Sequence, residues 1–133
     1  MRMDLVRSGL AWLAVCFACP ASADDGPSMI GTWSGKNFTI GDIHGLRVRD
    51  RTVHITEQTD RRFRGYFVYE AGRKDFFGVV FPDNASFGWV SPTSKGYVQG
   101  HILSADHISA CYLEPGAEAT AGCSDLTRTS AKP

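Results

Sequence analysis

The feature that most constrains the fold is a series of eight short runs rich in β-branched and aromatic residues, each closed by Gly, Pro, Asp or Asn. None of the runs shows the 3.6-residue period of an amphipathic helix. The runs are residues 31–40, 52–58, 63–70, 75–81, 85–90, 96–103, 107–113 and 123–129. The sequence therefore predicts an all-β fold with eight antiparallel strands.

The connections between these runs are short, which favours hairpins between sequential strands. Eight strands in meander order predict an up-and-down barrel, because closure removes the two exposed edges of an open sheet. Only the first connection, residues 41–51, is long. We expect one barrel domain over residues 30–130, between an N-terminal tail at 24–29 and a C-terminal tail at 131–133.

The last two runs contain Cys111 and Cys123, separated by a connection with Pro-Gly and Ala-Gly turn signals. This spacing predicts a C-terminal hairpin closed by a disulfide bond. A crosslink over a loop of this size contributes about 3 kcal/mol in the chain-entropy model.

The N-terminus has the pattern of a secretory signal peptide. Arg2 and Arg7 precede an apolar run at 10–19, and Ala21-Ser22-Ala23 follows as a cleavage site. The apolar run is well short of the roughly 20 residues of a membrane-spanning helix. We therefore predict cleavage of residues 1–23 and an exported protein, periplasmic or extracellular, without membrane insertion.

A competing interpretation takes Leu13-Ala14-Val15-Cys16 as a lipoprotein box with lipid attached at Cys16. Val is poorly suited to the position before a lipidated Cys, and the Ala-x-Ala site downstream favours ordinary cleavage. Cleavage also removes the Cys16–Cys19 pair, so its CxxC spacing does not indicate a redox site.

The charge of residues 24–133 is nearly balanced. Removing Arg2, Arg7 and Asp4 from totals of 14 and 14 leaves 12 basic and 13 acidic side chains. No large field attracts nucleic acid or anionic lipid, so we expect neither as a partner.

No motif for catalysis or metal binding is recognisable. The histidines lack ligand spacing, no Gly-x-Ser-x-Gly elbow occurs, and nothing in the sequence pairs the carboxylates of Glu57, Glu70 and Asp75. The histidines are His44, His54, His101 and His107. We predict a non-enzymatic protein without metal or cofactor.

Arg47, Arg49 and Arg51 recur at every second position of the long connection 41–51. If this segment is extended, all three project from one face. Guanidinium groups suit carboxylates and phosphates, so these residues form a candidate rim for an anion or a protein partner. The alternative is a solvated loop balanced by carboxylates such as Asp50.

The domain is dense in aromatic residues, and an eight-stranded barrel is either packed by its side chains or holds one small ligand. Interleaved glycines leave room for a shallow pocket at one mouth. The candidate mouth residues are Phe67, Tyr69, Trp89 and Tyr97.

The run 75–81 is apolar on both faces, as in a strand that is covered on both sides. The long connection 41–51 or a second subunit could provide this cover. In the second case Phe77, Val79 and Phe81 would form a homodimer interface.

Asn37 and Asn84 also match the glycosylation sequon, which matters only in a eukaryotic secretory pathway.

Gly31-Thr32-Trp33 at the start of the first run resembles the Gly-x-Trp opening of small calycin barrels, the group of lipocalins, avidins and barrel-type protease inhibitors. The resemblance implies that Trp33 closes the barrel bottom against a basic side chain near the chain end, here Arg128, in a cation–π contact. Phe87-Gly88-Trp89-Val90 is similar to the Gly-Trp strand of avidins. Cys111-Tyr112 stands where avidins place a pocket Trp, so biotin binding is not implied.

These observations favour an exported, non-enzymatic barrel that binds a small apolar or aromatic ligand at its mouth, or a protein partner through its arginine rim. The alternative function is an inhibitor of a secreted hydrolase, of protease or lysozyme type, that inserts the connection 41–51 into the cleft of the enzyme.

Overall fold

The computed structural model of the protein describes residues 25–133, so the predicted signal peptide and Cys16 lie outside the described part. The chain forms a closed antiparallel barrel in which each strand pairs with its sequential neighbour and the last pairs with the first. This confirms the predicted all-β, eight-stranded, up-and-down fold. The strands are β1 (Gly31–Gly41), β2 (Gly45–Thr59), β3 (Arg62–Tyr69), β4 (Gly72–Val80), β5 (Ser86–Val90), β6 (Tyr97–Ser104), β7 (His107–Glu114) and β8 (Thr120–Ser130).

Strand β2 is much longer than predicted. It begins at Gly45 and pairs with β1 continuously from Gly41↔Gly45 to Gly31↔Ile55. The predicted long loop at 41–51 is therefore wrong, and only a three-residue turn separates the two strands. The proposed covering of run 75–81 by that loop is wrong for the same reason.

The physical reason lies in the alternation within this segment. Leu46 and Val48 point outward and are exposed, whereas Arg47, Arg49 and Arg51 share the inward face with Val53. A period of two with charged residues inside and apolar residues outside does not match the usual pattern of a half-buried strand. The sequence does alternate with a period of two here, but the charged residues face the lumen and the apolar residues face outward, which is the reverse of the usual arrangement.

The two ends of the barrel differ. At the closed end lie the β2–β3, β4–β5 and β6–β7 turns and both ends of the described chain. At the open end lie the β1–β2, β3–β4, β5–β6 and β7–β8 connections. The core fills the closed end and the middle of the barrel, and it consists of Met29, Trp33, Val53, Ile55, Phe63, Phe76, Val80, Phe87, Trp89, Ile108, Ala110 and Leu126.

Trp33 and Arg128 seal the closed end. The Arg128 guanidinium carbon lies 4.2 Å from the centroid of the Trp33 ring, and Trp33 Nε1 donates a hydrogen bond to the Met29 carbonyl at 2.9 Å. Gly31 has φ +140°, and a Cβ there would lie 2.6 Å from the Ser130 carbonyl oxygen. Only glycine fits this close approach of the two chain ends. Met29, from the predicted tail, is buried in the core.

Cys111 and Cys123 form the predicted disulfide bond. They are directly opposed in the β7–β8 ladder. Alternation places the disulfide on the outside of the barrel, because the flanking Ala110 and Ser124 are buried inside.

The outer wall carries a row of apolar side chains, hereafter the outer apolar row. Its members are register partners on successive strands, so the row runs around most of the barrel. They are Leu46, Ile40, Ala121, Leu113, Tyr97, Val90 and Phe77. Val79 is exposed beside the row, and the Phe81 ring lies next to Gly88 on the same outer wall.

Within residues 25–133, no helix is long and apolar enough to span a bilayer.

Candidate ligand-binding cavity

The lumen of the barrel is hollow at its open end. The cavity has a volume of about 470 Å³ and is open to solvent between the connections of that end. Its floor is formed by Val53, Trp89, Ala110 and Leu126, which belong to the core. The barrel is thus packed at one end and hollow at the other.

All four predicted mouth residues are among the lining residues of this cavity. Trp89 is 7% exposed at the floor, stacked on Phe76 with ring centroids 4.5 Å apart. Phe67 and Tyr69 form one wall, with their centroids 6.0 Å apart. Tyr97 lies at the edge of the cavity. It follows the inward-facing Gly96, so its side chain is on the outward face of β6; it is 46% exposed and also borders recesses on the outer wall.

Two of the three residues of the predicted arginine rim belong to the same cavity. Because β2 extends to Gly45, Arg49 and Arg51 line the lumen, and Arg47 borders a smaller recess further out, together with Glu114 and Glu118. The sequence suggested two separate sites, aromatic and cationic, and the structure places them at one.

Arg51 is half-buried and its guanidinium carbon lies 4.6 Å from the centroid of the Phe67 ring. Burial lowers the pKa of Arg51, and the neighbouring charge of Arg49 lowers it further. Arg49 lies nearer the solvent, with Nη1 3.7 Å from Glu70 Oε1.

Lys74 is a lining residue that sequence reasoning missed. It is the register partner of Phe67, and its Nζ lies 5.5 Å from the centroid of the Tyr69 ring. The signal was present, because Lys74 is two residues before Phe76 and shares its inward face. We predicted that strand to begin at residue 75, which excluded Lys74.

The opposite wall of the cavity is polar. Ser124 Oγ donates a hydrogen bond to Asn37 Oδ1 at 2.9 Å, and both side chains are buried. Asn37 is the first of the two predicted sequons, and it is 8% exposed and points into the lumen. A glycan there would have to occupy the cavity. Asn84, the second, lies in the exposed β4–β5 turn.

Tyr112 completes this wall. Its hydroxyl donates to Glu114 Oε2 and lies 2.7 Å from Ser94 Oγ. Burial raises the pKa of Tyr112, and the hydrogen bond to Glu114 raises it further. Gly96 makes room for the ring, since a Cβ there would lie 2.5 Å from it. The neutral phenol therefore holds the one carboxylate among the lining residues of this cavity.

The histidines do not gather at one place. His44 borders the cavity, His54 stacks on Tyr66 outside the barrel at 4.7 Å, and His107 pairs with Asp125. Between residues 25 and 133, no group of three or more His, Cys, Asp or Glu side chains is arranged to hold a metal ion.

No protein-family model matches the sequence, and no curated protein matches it. Among solved structures, the redesigned β-barrel b11L5F_LGL is 12% identical, with a TM-score of 0.48, over 81% of this chain and 95% of its own. The redesigned β-barrel mFAP0, solved bound to DFHBI, is 15% identical, with a TM-score of 0.45, over 74% of this chain and 97% of its own. At these values neither protein indicates what this chain binds.

Proposed function

We propose that this protein is an exported, non-enzymatic barrel of calycin type that binds one small ligand with an apolar or aromatic body in the open-end cavity. The observation that carries the proposal is a hollow lumen of about 470 Å³ with Trp89 at its floor and Phe67 on its wall. Binding cavities for small molecules have this size and combine apolar walls with a few polar groups.

Two further observations support parts of the proposal. The Cys111–Cys123 disulfide is compatible with an oxidising compartment, as expected after export. The contact between Trp33 and Arg128 is the one that the resemblance to calycins implies.

The alternative of a hydrolase inhibitor loses its main support. Residues 45–51, which would have formed most of the inserting loop, are part of strand β2 and pair with β1. Arg49 and Arg51 also face the lumen, which leaves them poorly placed to dock a large protein. A small ligand fits their position better.

Filling the cavity tests the proposed function. We expect the neutral fluorophore N-phenyl-1-naphthylamine to bind the wild-type protein saturably at one site. Ala110 is at the cavity floor, so Ala110→Leu should weaken this binding by about tenfold or more, since a few carbons in an apolar pocket are worth this much. Fluorescence titration measures the effect.

The matched control is Ser109→Leu, which adds a leucine to the outer face of the same strand, between His101 and Asp125. It should leave binding unchanged. Equal affinities of all three proteins, each checked for its melting temperature, would contradict a ligand site in the lumen.

A further inference from the structure

We propose that the ligand carries one carboxylate, held at the mouth of the cavity by Arg51 with Lys74, while its flat apolar body lies on the aromatic floor. This inference rests on the proposed function and adds the chemical class of the ligand. It combines three observations: an unpaired cation, the cations that neighbour it, and the net charge of the cavity lining.

The first observation is that Arg51 lacks an anion. Among the described residues, no carboxylate or carbonyl group pairs with its guanidinium, which lies over the ring of Phe67. A half-buried guanidinium has lost part of its hydration, which is unfavourable unless an anion or hydrogen-bond acceptors replace the water. The five N–H donors of Arg51 are therefore available to a ligand.

The second observation is that other cations surround this position. Arg49 is on the same face of β2, two residues away, and Lys74 approaches from β4 beside Tyr69. Like charges at short range raise the free energy of the empty site. The lowered pKa of Arg51 has the same cause in part. A bound anion would relieve this repulsion.

The third observation concerns the number of charges. The lining contains Arg49, Arg51 and Lys74 against Glu114, and Arg49 is already close to Glu70 at the rim. With that ion pair set aside, two cations and one carboxylate remain. The net charge of about one positive unit suits a monoanion such as a carboxylate better than a dianionic phosphate.

The positions of these groups orient the ligand. Arg51 covers the ring of Phe67, whereas Trp89 lies deeper at the floor. The carboxylate would therefore lie near solvent and the apolar body would point inward. Asn37 also lines the cavity, and its Oδ1 already accepts a hydrogen bond from Ser124, so the group it can offer a ligand is its amide nitrogen, a donor.

The test compares two competitors of the same shape, one with a charged polar group and one with a neutral polar group. 2-Naphthoate and 2-naphthamide share one ring system, and each displaces N-phenyl-1-naphthylamine from the full chain in a fluorescence titration. We expect naphthoate to bind about tenfold or more tightly than naphthamide, as hydrogen bonds to charged groups imply. Arg51→Gln should bring the ratio of the two affinities close to one, and this ratio is read within the variant, whatever its affinity for naphthamide.

Arg64→Gln is the matched control, because Arg64 is on the outer face of β3, 3.4 Å from Glu57. It should keep the full preference. Lys74→Gln should reduce the preference, and it replaces Arg51→Gln if that variant melts at a much lower temperature. Equal wild-type affinity for the two competitors, or a preference that survives both cavity substitutions, would overturn the carboxylate proposal and leave ligand binding intact. Failure of N-phenyl-1-naphthylamine itself to bind would overturn the proposed function as well.

Discussion

Arg128 joins three segments of chain at the closed end of the barrel. Its guanidinium donates to the carbonyls of Ser28, Ile30 and Ala105 and covers the ring of Trp33. Hydrogen bonds from a charged donor are worth more than neutral ones, and the three carbonyls would lose their partners without it.

We expect Arg128→Met to lower the free energy of unfolding by about 2–4 kcal/mol, since the side chain is only 13% exposed. Urea unfolding measures the change. Arg62→Met is the control, because that arginine is 73% exposed and, within residues 25–133, its side chain pairs with Asp60 alone. Its loss should leave the free energy of unfolding almost unchanged. Equal effects of the two substitutions would show that Arg128 does not hold the barrel closed.

For single residues, the sequence predicted which ones lie at the functional sites better than it predicted which face of the strand their side chains take. Trp33 and Arg128 could be paired through the resemblance to calycins, and Phe67 and Trp89 through their place in aromatic strands. Tyr97 lines the cavity as predicted, but its side chain is on the outward face of β6, because in the run 96–103 glycines take the inward positions 96 and 100. Where the inward residue is glycine, hydrophobicity alone assigns the aromatic neighbour to the wrong face.

Strand β2 and the β7–β8 hairpin show what can be predicted for whole elements. The hairpin was predictable because its turn signals, its β-branched residues and its two cysteines agree. The first half of β2 was not predictable from the usual pattern, because its charged residues face a cavity. A hollow lumen accepts hydrated or ligand-bound side chains where a packed core would exclude them, so this failure coincides with the candidate site.

The disulfide gives a test of the hairpin. The double substitution Cys111→Ser and Cys123→Ser should lower stability by up to about 3 kcal/mol, because the unfolded chain regains the freedom of the closed loop. For a domain of this size we expect a melting temperature lower by several degrees. The reduced wild-type protein should have the same melting temperature as the double variant. An unchanged melting temperature under oxidising conditions would contradict the expected contribution of the crosslink.

The surface of the whole molecule is unusual in its outer apolar row. Seven register partners on successive strands present mostly exposed apolar side chains, and Leu46 alone is 83% exposed. Contiguous exposed apolar surface in a small protein favours association. The predicted homodimer through Phe77, Val79 and Phe81 stays a prediction, and the exposure of Phe77 and Val79 is consistent with it.

Self-association is measured by sedimentation velocity over a range of protein concentrations. We expect a concentration-dependent dimer that Phe77→Lys shifts to monomer, because a buried ammonium in an apolar interface has no partner. Val68→Lys makes the same apolar-to-charged change at an exposed valine on the outer face of β3, and it should leave the dimer intact. A monomer at all concentrations would contradict this interface.

The unequal filling of the two ends of the barrel has a practical consequence. The closed end holds Trp33, Arg128 and the buried residue Met29, whereas the side chains of the open end surround the cavity. Positions such as Thr39, Arg49 and Lys74 can therefore be randomised together in a combinatorial library while most members remain folded. The same scaffold would then serve as a starting point for selecting receptors for new small molecules. Substitutions at the open end would change the ligand selectivity, and the packed closed end would keep the barrel stable.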